Sequence, residues 1–371
     1  MKTRVAVIFG GRSGEHEVSL ASATSIMGNL DPSRYEVIPV GITKEGRWLL
    51  NGDPLQALKA GYAKTGNEAT LLSFAGPSED AIIVESGAQA AENGGQLVVD
   101  VVFPVMHGPY GEDGTVQGLL EMAGVPYVGA GVLASATGMD KIAMKALFAN
   151  RGLPMGEYLP LSRRQWESDP EGSMDMVEQA LSYPCFAKPA NLGSSVGISK
   201  ANNRAELAAA LALAARFDRR LLVEKGIDCR EIECSVLGND DPIASVPGEI
   251  VPCNDFYDYR AKYVDGRSEI RIPAPIPVET AEEVRRVAVD AFTAIDCAGM
   301  ARVDFFLEKG SNRVYLNEIN TIPGFTTISM YPKLWEASGI SYPQLIDRLI
   351  ELALERHKEK TRNQTSYRPE G

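Results

Sequence analysis

Ala301-Arg302-Val303-Asp304-Phe305-Phe306-Leu307 and Val314-Tyr315-Leu316-Asn317-Glu318-Ile319-Asn320 are two β-type runs separated by the turn-like Glu308-Lys309-Gly310-Ser311-Asn312. They read as a hairpin whose facing strands bring Asp304, Glu318 and Asn320 together. Glu318 and Asn320 are two residues apart and so share one face. Two carboxylates and an amide oxygen on a rigid sheet make a poor Ca²⁺ cage but a good Mg²⁺ site, because Mg²⁺ takes few protein oxygens and completes its octahedron with water and phosphate. The implication is nucleotide chemistry. A solvated acidic strand face is the plainer alternative, since such hairpins are common.

Beyond the hairpin, 371 residues are too many for one ordinary core, and two or three domains are expected. With 49 acidic and 37 basic residues the net charge is −12, which argues against a nucleic-acid or anionic-lipid footprint. An anionic ligand must therefore be held by local groups. No apolar run approaches a membrane span, and Val5 to Phe9 is too short for a signal-peptide core, so a cytoplasmic protein without membrane contact is expected. Cys185, Cys229, Cys234, Cys253 and Cys297 are odd in number and contain no Cys-x-x-Cys pair. They read as reduced, packed thiols rather than a disulfide framework or zinc site. His16, His107 and His357 lack the spacing of a histidine-bound metal.

Arg4 to Phe9 is an apolar run ending in Gly10-Gly11, followed by a helix-like Leu20 to Leu30, a strand at Tyr35 to Ile42, a continuous strand at Val98 to Val105 and a helix from Thr115 to Ala123. This alternation predicts a parallel sheet covered on both faces, closing at Val125 to Gly129. From Lys141 the order becomes helix, strand (Cys185 to Lys188), glycine loop (Asn191 to Gly197), helix and strand (Leu221 to Lys225), an α+β unit. A third section runs from Glu231 through strands and a long helix, Ala281 to Ile295, to the hairpin. The polar tail from Arg356 reads as frayed.

Lys188-Pro189 at a strand end, followed by Gly193-Ser194-Ser195-Val196-Gly197, offers backbone N–H groups, hydroxyls and an ammonium to phosphate oxygens, although it is not a Walker A loop. An ordinary turn remains the alternative. Lys141 opens a helix, where a solvated lysine is the default. Gly129-Ala130-Gly131-Val132-Leu133-Ala134 fits the G-x-G-x-x-A dinucleotide fingerprint and raises an NAD-dependent oxidoreductase, but the ribose-binding carboxylate expected about 20 residues on is missing.

Gly10 to Ser19 (GGRSGEHEVS), His107 to Gly114 (HGPYGEDG), Met139-Asp140-Lys141, Lys188-Pro189 with Gly193 to Gly197, and Asn320 to Thr326 (NTIPGFT) together resemble the D-alanine–D-alanine ligase family in sequence and in order, over nearly the whole chain. The resemblance implies an ATP-grasp fold: a Rossmann-like N-terminal domain (1–129), a central lobe (130–226), a C-terminal lobe (227–357) and a polar tail (358–371). It implies ATP as substrate, two Mg²⁺ or Mn²⁺ ions on Asp304, Glu318 and Asn320, and a homodimer. The implied product is D-alanyl-D-alanine for peptidoglycan precursors, made through an acyl phosphate.

Further roles follow from the same resemblance. Lys141, Lys188 and Ser195 would contact phosphates, Glu224 the adenine amine, backbone near Lys225 and Ile227 the adenine edge, and Glu231 the ribose. Arg302 and the Gly324 N–H would stabilise the oxyanion. Glu15 would take the ammonium of the first D-alanine beside His107, whereas without the resemblance a glutamate favoured by a helix dipole is the default. In the aromatic and charged segment Asp255 to Tyr263, Lys262 would meet phosphate or the second carboxylate. Tyr263 would join Ser194 and Glu15 in a triad that shuts the site. Ser329 and Met330 would receive the second D-alanine. Relatives that join D-alanine to D-lactate lack the loop tyrosine, so Tyr263 favours the dipeptide product.

Overall fold

The computed structural model describes residues 1–50, 52–61, 81–84, 96–251 and 269–364. Cys253, Lys262 and Tyr263, and with them the expected closing loop, lie outside the described residues.

Hydrophobic runs at the N-terminus form a sheet in which Thr3–Gly10 lies between Tyr35–Ile42 and Val101–Val105, both parallel to it, with Trp48–Leu49 antiparallel at the edge. Such strands are apolar on both sides because both sides are covered. Ala6 and Ile8 pack toward Val116 and Leu120 of the helix Thr115–Ala123. Val5, Val7 and Phe9 pack toward Leu20 and Ile26 of the helix His16–Asn29 and toward Leu345 and Leu349 of the helix Tyr342–Lys360. The last helix thus completes the core of the first sheet. Ser19 links helix to sheet by accepting from the Gly10 N–H and donating to the Val105 carbonyl.

The expected continuous strand Val98 to Val105 is broken at Asp100. Gln96–Val99 pairs with Ala81–Val84, and Val101–Val105 pairs with the first strand. At the break the Asp100 carboxylate accepts from the Arg4 backbone N–H and guanidinium, so a polar side chain marks the change of partner. The tail reading also needs correction. Helix continues to Lys360, and Arg356 donates to the carbonyls of Tyr127 and Gly129 with its guanidinium 4.3 Å from the Tyr127 ring centroid. An amphipathic turn docked this way does not fray.

Two antiparallel sheets follow. In the first, Arg220–Lys225 lies between Tyr158–Ser162 and Cys185–Pro189, with Ser199–Ala201 beyond. One face packs on the helices Pro170–Ala180 and Arg204–Phe217, while the other carries Lys188 and Glu224. In the second, Gly299–Glu308 lies between Cys229–Gly238 and Val314–Asn320, with Gly248–Val251 and Glu269–Arg271 extending it. Val303, Phe305 and Leu307 face Val284, Val287 and Phe292 of the helix Val278–Ala294. The period of two then puts Arg302 and Asp304 on the opposite face. The predicted hairpin is present, with a bulge where Asp304 pairs with Glu318 but Phe305 with Leu316.

The G-x-G-x-x-A segment has a packing explanation. Gly299 has φ +73°, and a Cβ there would stand 3.0 Å from the Gly129 backbone, so two segments of backbone cross closely at this pair. Cys185, Cys234 and Cys297 are buried free thiols, pushed up to about 11, 12 and 12 by desolvation. Among the described residues no helix is long and apolar enough to cross a membrane.

Gly299→Ala should lose more than about 1 kcal/mol of stability, because alanine is strained at positive φ and the backbone crossing adds contact. Gly152→Ala, with φ +68° but nothing within 4 Å of the new Cβ, should lose less. Equal urea midpoints for the two variants would contradict the crossing.

Candidate active site

A cavity of about 800 Å³ lies where the first sheet, the glycine loop and the second antiparallel sheet meet. Its lining includes Glu15, His107, Lys141, Ser194, Arg302, Glu318, Asn320, Gly324, Ser329 and Met330. These predicted residues come from distant parts of the chain.

Glu15 precedes the helix His16–Asn29, and its backbone N–H donates to Ser13 Oγ at 3.0 Å. Its carboxylate accepts from the Ser194 hydroxyl across the cavity. A Cβ at Gly108 would be 2.7 Å from Glu15 Oε2 and one at Gly193 3.3 Å, so the carboxylate has little room to swing. Ser194 and Ser195 both have positive φ, +52° and +58°, a strained geometry in the glycine loop. Lys141 secures that loop by donating to the Leu192 carbonyl at 2.8 Å, and its ammonium is 3.7 Å from Glu318. The helix it opens is capped by Asp140, which accepts from the Ile142 and Ala143 N–H groups and pairs with Arg220.

Beneath Glu15 is a pair that the sequence reading missed in part. His107 Nδ1 is 3.0 Å from the Ile322 carbonyl and 3.3 Å from Glu112 Oε1, so two acceptors assign that nitrogen the proton. Nε2 lies 3.2 Å from Ser22 Oγ. Burial pushes the Glu112 carboxyl up to about 7. Burial works against the charged form of His107, but the hydrogen bond to Glu112, then its charge and that of Glu15, raise the imidazole above its ordinary value.

On the second antiparallel sheet Asp304 is in register with Glu233 on one neighbour and Glu318 on the other, making a row of three carboxylates. Arg302 lies one row along, between Ser235 and Asn320. Its Nε and Nη2 each donate to Asp304 at 2.7 Å, and Nε is 3.0 Å from Glu233. The buried guanidinium is held well above its usual range, Asp304 and then Glu233 outweighing desolvation. Asp304, Glu318 and Asn320 supply oxygen donors only, which fits a hard divalent cation. Each Asp304 oxygen accepts one guanidinium N–H from Arg302.

Glu224 is buried on the first antiparallel sheet between Lys188 and Lys145, the latter at 2.6 Å. Its carboxylate is therefore already engaged by two ammonium groups, a state the sequence did not reveal. Lys145 follows Lys141 by one helical turn and shares its face, the signal that could have found it. At the strand end the Lys225 and Gly226 N–H groups donate to the Glu157 and Pro184 carbonyls. Lys225 also pairs with Glu157 at 3.3 Å. Glu231 lies in register with Ile250 and Phe306 and contributes to the field at Lys188. Lys188, Ser195, Glu224, Lys225, Ile227, Glu231 and Asp304 are not among the residues that line the large cavity.

Ser329 immediately precedes the helix Met330–Ala337, and its Oγ accepts from the Thr326 N–H at 3.0 Å. A Cβ on Gly324 would stand 2.9 Å from that Oγ, so the close neighbour here is Ser329 itself. Lys333, one turn beyond Ser329, adds an unanticipated cation to the lining.

A Rossmann-like unit beside two antiparallel lobes, with lysines on one lobe and an acidic row on the other, has the architecture of an ATP-grasp ligase. Family models described as D-ala D-ala ligase N-terminus and C-terminus match residues 4–130 and 147–351. The chain is 55% identical to a D-alanine–D-alanine ligase of Heliobacterium modesticaldum, covering 100% of this chain and 99% of the relative. It is 52% identical to one of Acetivibrio thermocellus, covering 96% and 97%. Among solved structures, the D-alanine–D-alanine ligase of Coxiella burnetii superposes with a TM-score of 0.80 at 36% identity, covering 97% of this chain and 96% of that one. The VanG D-Ala:D-Ser ligase of Enterococcus faecalis gives 0.79 at 36% identity, covering 95% and 100%. The chain belongs to the D-alanine–D-alanine ligase family.

The raised Glu112 value has a testable sign. Between the unfolded carboxyl value, 4.5, and about 7 the folded protein binds the extra proton, so this contribution is complete below 4.5 and is lost as pH rises through 7. Glu112→Gln removes that dependence. The stability of the original protein relative to the variant should fall by about 1–3 kcal/mol from pH 5 to pH 8; a difference that stays flat or grows would contradict the raised value.

Proposed function

We propose that this chain joins two D-alanine molecules into D-alanyl-D-alanine for peptidoglycan precursors, converting ATP to ADP and phosphate. The observation that carries the reading is the convergence on one cavity of Glu15, tied to the glycine loop by Ser194, with Arg302 and Glu318.

A carboxylate resists an amine nucleophile because its leaving group would be oxide. The first D-alanine therefore attacks the γ-phosphorus through a carboxylate oxygen, the bond to ADP breaks, and an acyl phosphate forms. The amine of the second D-alanine, having lost its ammonium proton, attacks the acyl carbon; phosphate departs as the amide forms. In this reading Glu15 takes the first ammonium and His107 borders it. Lys141, Lys188 and the Ser194-Ser195 loop hold phosphates, while Glu224, Lys225, Ile227 and Glu231 receive adenosine. Arg302 and the Gly324 N–H stabilise the tetrahedral oxyanion, and Ser329 and Met330 receive the second substrate. Asp304, Glu318 and Asn320 would hold Mg²⁺ or Mn²⁺, which neutralises charge on the transferred phosphoryl group. Lys262 and Tyr263 keep their proposed parts in phosphate contact and closure, which excludes water from the acyl phosphate. A cytoplasmic homodimer belongs to the same proposal.

ADP release measured with D-alanine, L-alanine, D-serine and D-lactate tests the reading. Release should require D-alanine, with the dipeptide as principal product by mass; release indifferent to D-alanine would overturn it. Arg302→Ala should lower kcat by about 10²-fold with a smaller rise in the KM for ATP, because the cation acts most on charge that develops in the transition state. A loss confined to ATP affinity would make Arg302 a ground-state clamp. Glu318→Gln, still folded by circular dichroism, should be nearly inactive, since a carboxylate ligand becomes a neutral amide. Full turnover would remove it from the ligand set.

A further inference from the structure

The two lysines on Glu224 are differently placed. Lys188 stands at the end of the Cys185–Pro189 strand, within the field of Glu318 and Glu231 across the cleft. Lys145, whose side chain is 3% exposed, is enclosed: its ammonium is 2.6 Å from Glu224 Oε1, 3.4 Å from the Asn317 carbonyl and 5.6 Å from the centre of the Tyr158 ring. Asn317 is the residue skipped where register shifts next to Glu318. Lys145 therefore joins the first antiparallel sheet to the bulge on the second, and its side chain is less exposed than that of Lys188, which is 10% exposed.

We infer that Lys145 is a positioning residue that serves as the permanent counter-ion of Glu224 and so frees Lys188 to transfer from Glu224 to a nucleotide phosphate. The inference rests on the proposed ATP-binding role of this cleft. Removing one partner from a buried ion pair leaves an uncompensated charge and is strongly unfavourable. If Lys188 were the sole partner of Glu224, an arriving phosphate would have to compete with that carboxylate for it. With Lys145 fixed on Oε1, Lys188 can leave Oε2 while Glu224 remains paired and keeps accepting capacity for an adenine amine. The charge balance agrees. Burial alone would raise the Glu224 carboxyl, yet Lys145 first and Lys188 second hold it well below the ordinary range.

The test is a double-mutant cycle read by calorimetric binding of a non-hydrolysable ATP analogue with Mg²⁺, which needs no ligase turnover. Lys145→Met keeps bulk but removes charge, pinning Lys188 to Glu224; it should weaken binding at least 10-fold, and Lys145→Arg should restore most of the loss. Glu224→Gln alone should weaken binding through the altered adenine contact. Added to Lys145→Met, however, it should improve binding over that single variant, because the pinning charge is gone. The double variant should match Glu224→Gln within about 2-fold. A double variant weaker than both singles would overturn the inference, as would unchanged binding by Lys145→Met. If Lys145→Met does not fold, the double variant against Glu224→Gln still decides: a remaining 10-fold deficit means that Lys145 acts by another route. Failure of the original protein to bind the analogue would instead refute the nucleotide reading, whereas analogue binding without D-alanine-dependent ADP release would refute only the ligase reading.

Discussion

Arg302 is the charge on which the second sheet depends. Glu233, Asp304 and Glu318 lie side by side on three strands, and neighbouring strands are only about 4.8 Å apart. Like charges at that spacing oppose one another's ionisation. The guanidinium, one row along, pairs with two of the three and lets a negative surface persist at the cavity. Lysine could supply the charge but not the planar fork that meets both Asp304 oxygens. The other sheet answers with the opposite sign, Lys188 and Lys145 around a single Glu224, and Lys141 reaches across to Glu318. The two sheets thus carry charge of opposite sign, an excess of carboxylates around Arg302 on one and an excess of ammonium groups around Glu224 on the other.

Packing holds those faces in position. Apolar residues alternating with the charged ones bury against Val278–Ala294 on one lobe and Arg204–Phe217 on the other, so turning a charge out of the cleft would turn a core residue into water. The third wall comes from the first sheet, whose core is completed by the helix Tyr342–Lys360. Phe325, buried in that core, follows Gly324 directly and accepts Tyr342 at its carbonyl while its N–H donates to Ser22. Ser22 also contacts His107. The turn beside the proposed oxyanion site is therefore tied to the same helix that presents Glu15.

What could be read from sequence was what is local. The hairpin, the Lys188 strand, the glycine loop and the first β-loop-α unit declare themselves by period and by turn residues a few positions apart. The Glu15 assignment and its link to Ser194 came from a multi-segment resemblance, and the fold has the Ser194 hydroxyl donating to the Glu15 carboxylate. Glu233 escaped notice because its relation to Asp304 is one of register between strands distant in sequence, and Lys145 because a lysine in a helix normally faces water. The supposed frayed tail shows the same limit: Arg356 is polar, but its partners are carbonyls of the Tyr127–Gly129 segment, distant in sequence. The dinucleotide-like glycines were misleading for a related reason, since one of them serves a backbone crossing with Gly299.

The central claim is that this charged cleft activates a carboxylate by phosphorylating it. D-alanine labelled with ¹⁸O in both carboxylate oxygens, incubated with the protein, ATP and Mg²⁺, tests it through the isotope content of the inorganic phosphate. The oxygen that bonded to phosphorus should leave with it, so each phosphate released should carry one ¹⁸O. Unlabelled phosphate accompanying labelled dipeptide would mean that the carboxylate was never phosphorylated, and the account of the site would be wrong.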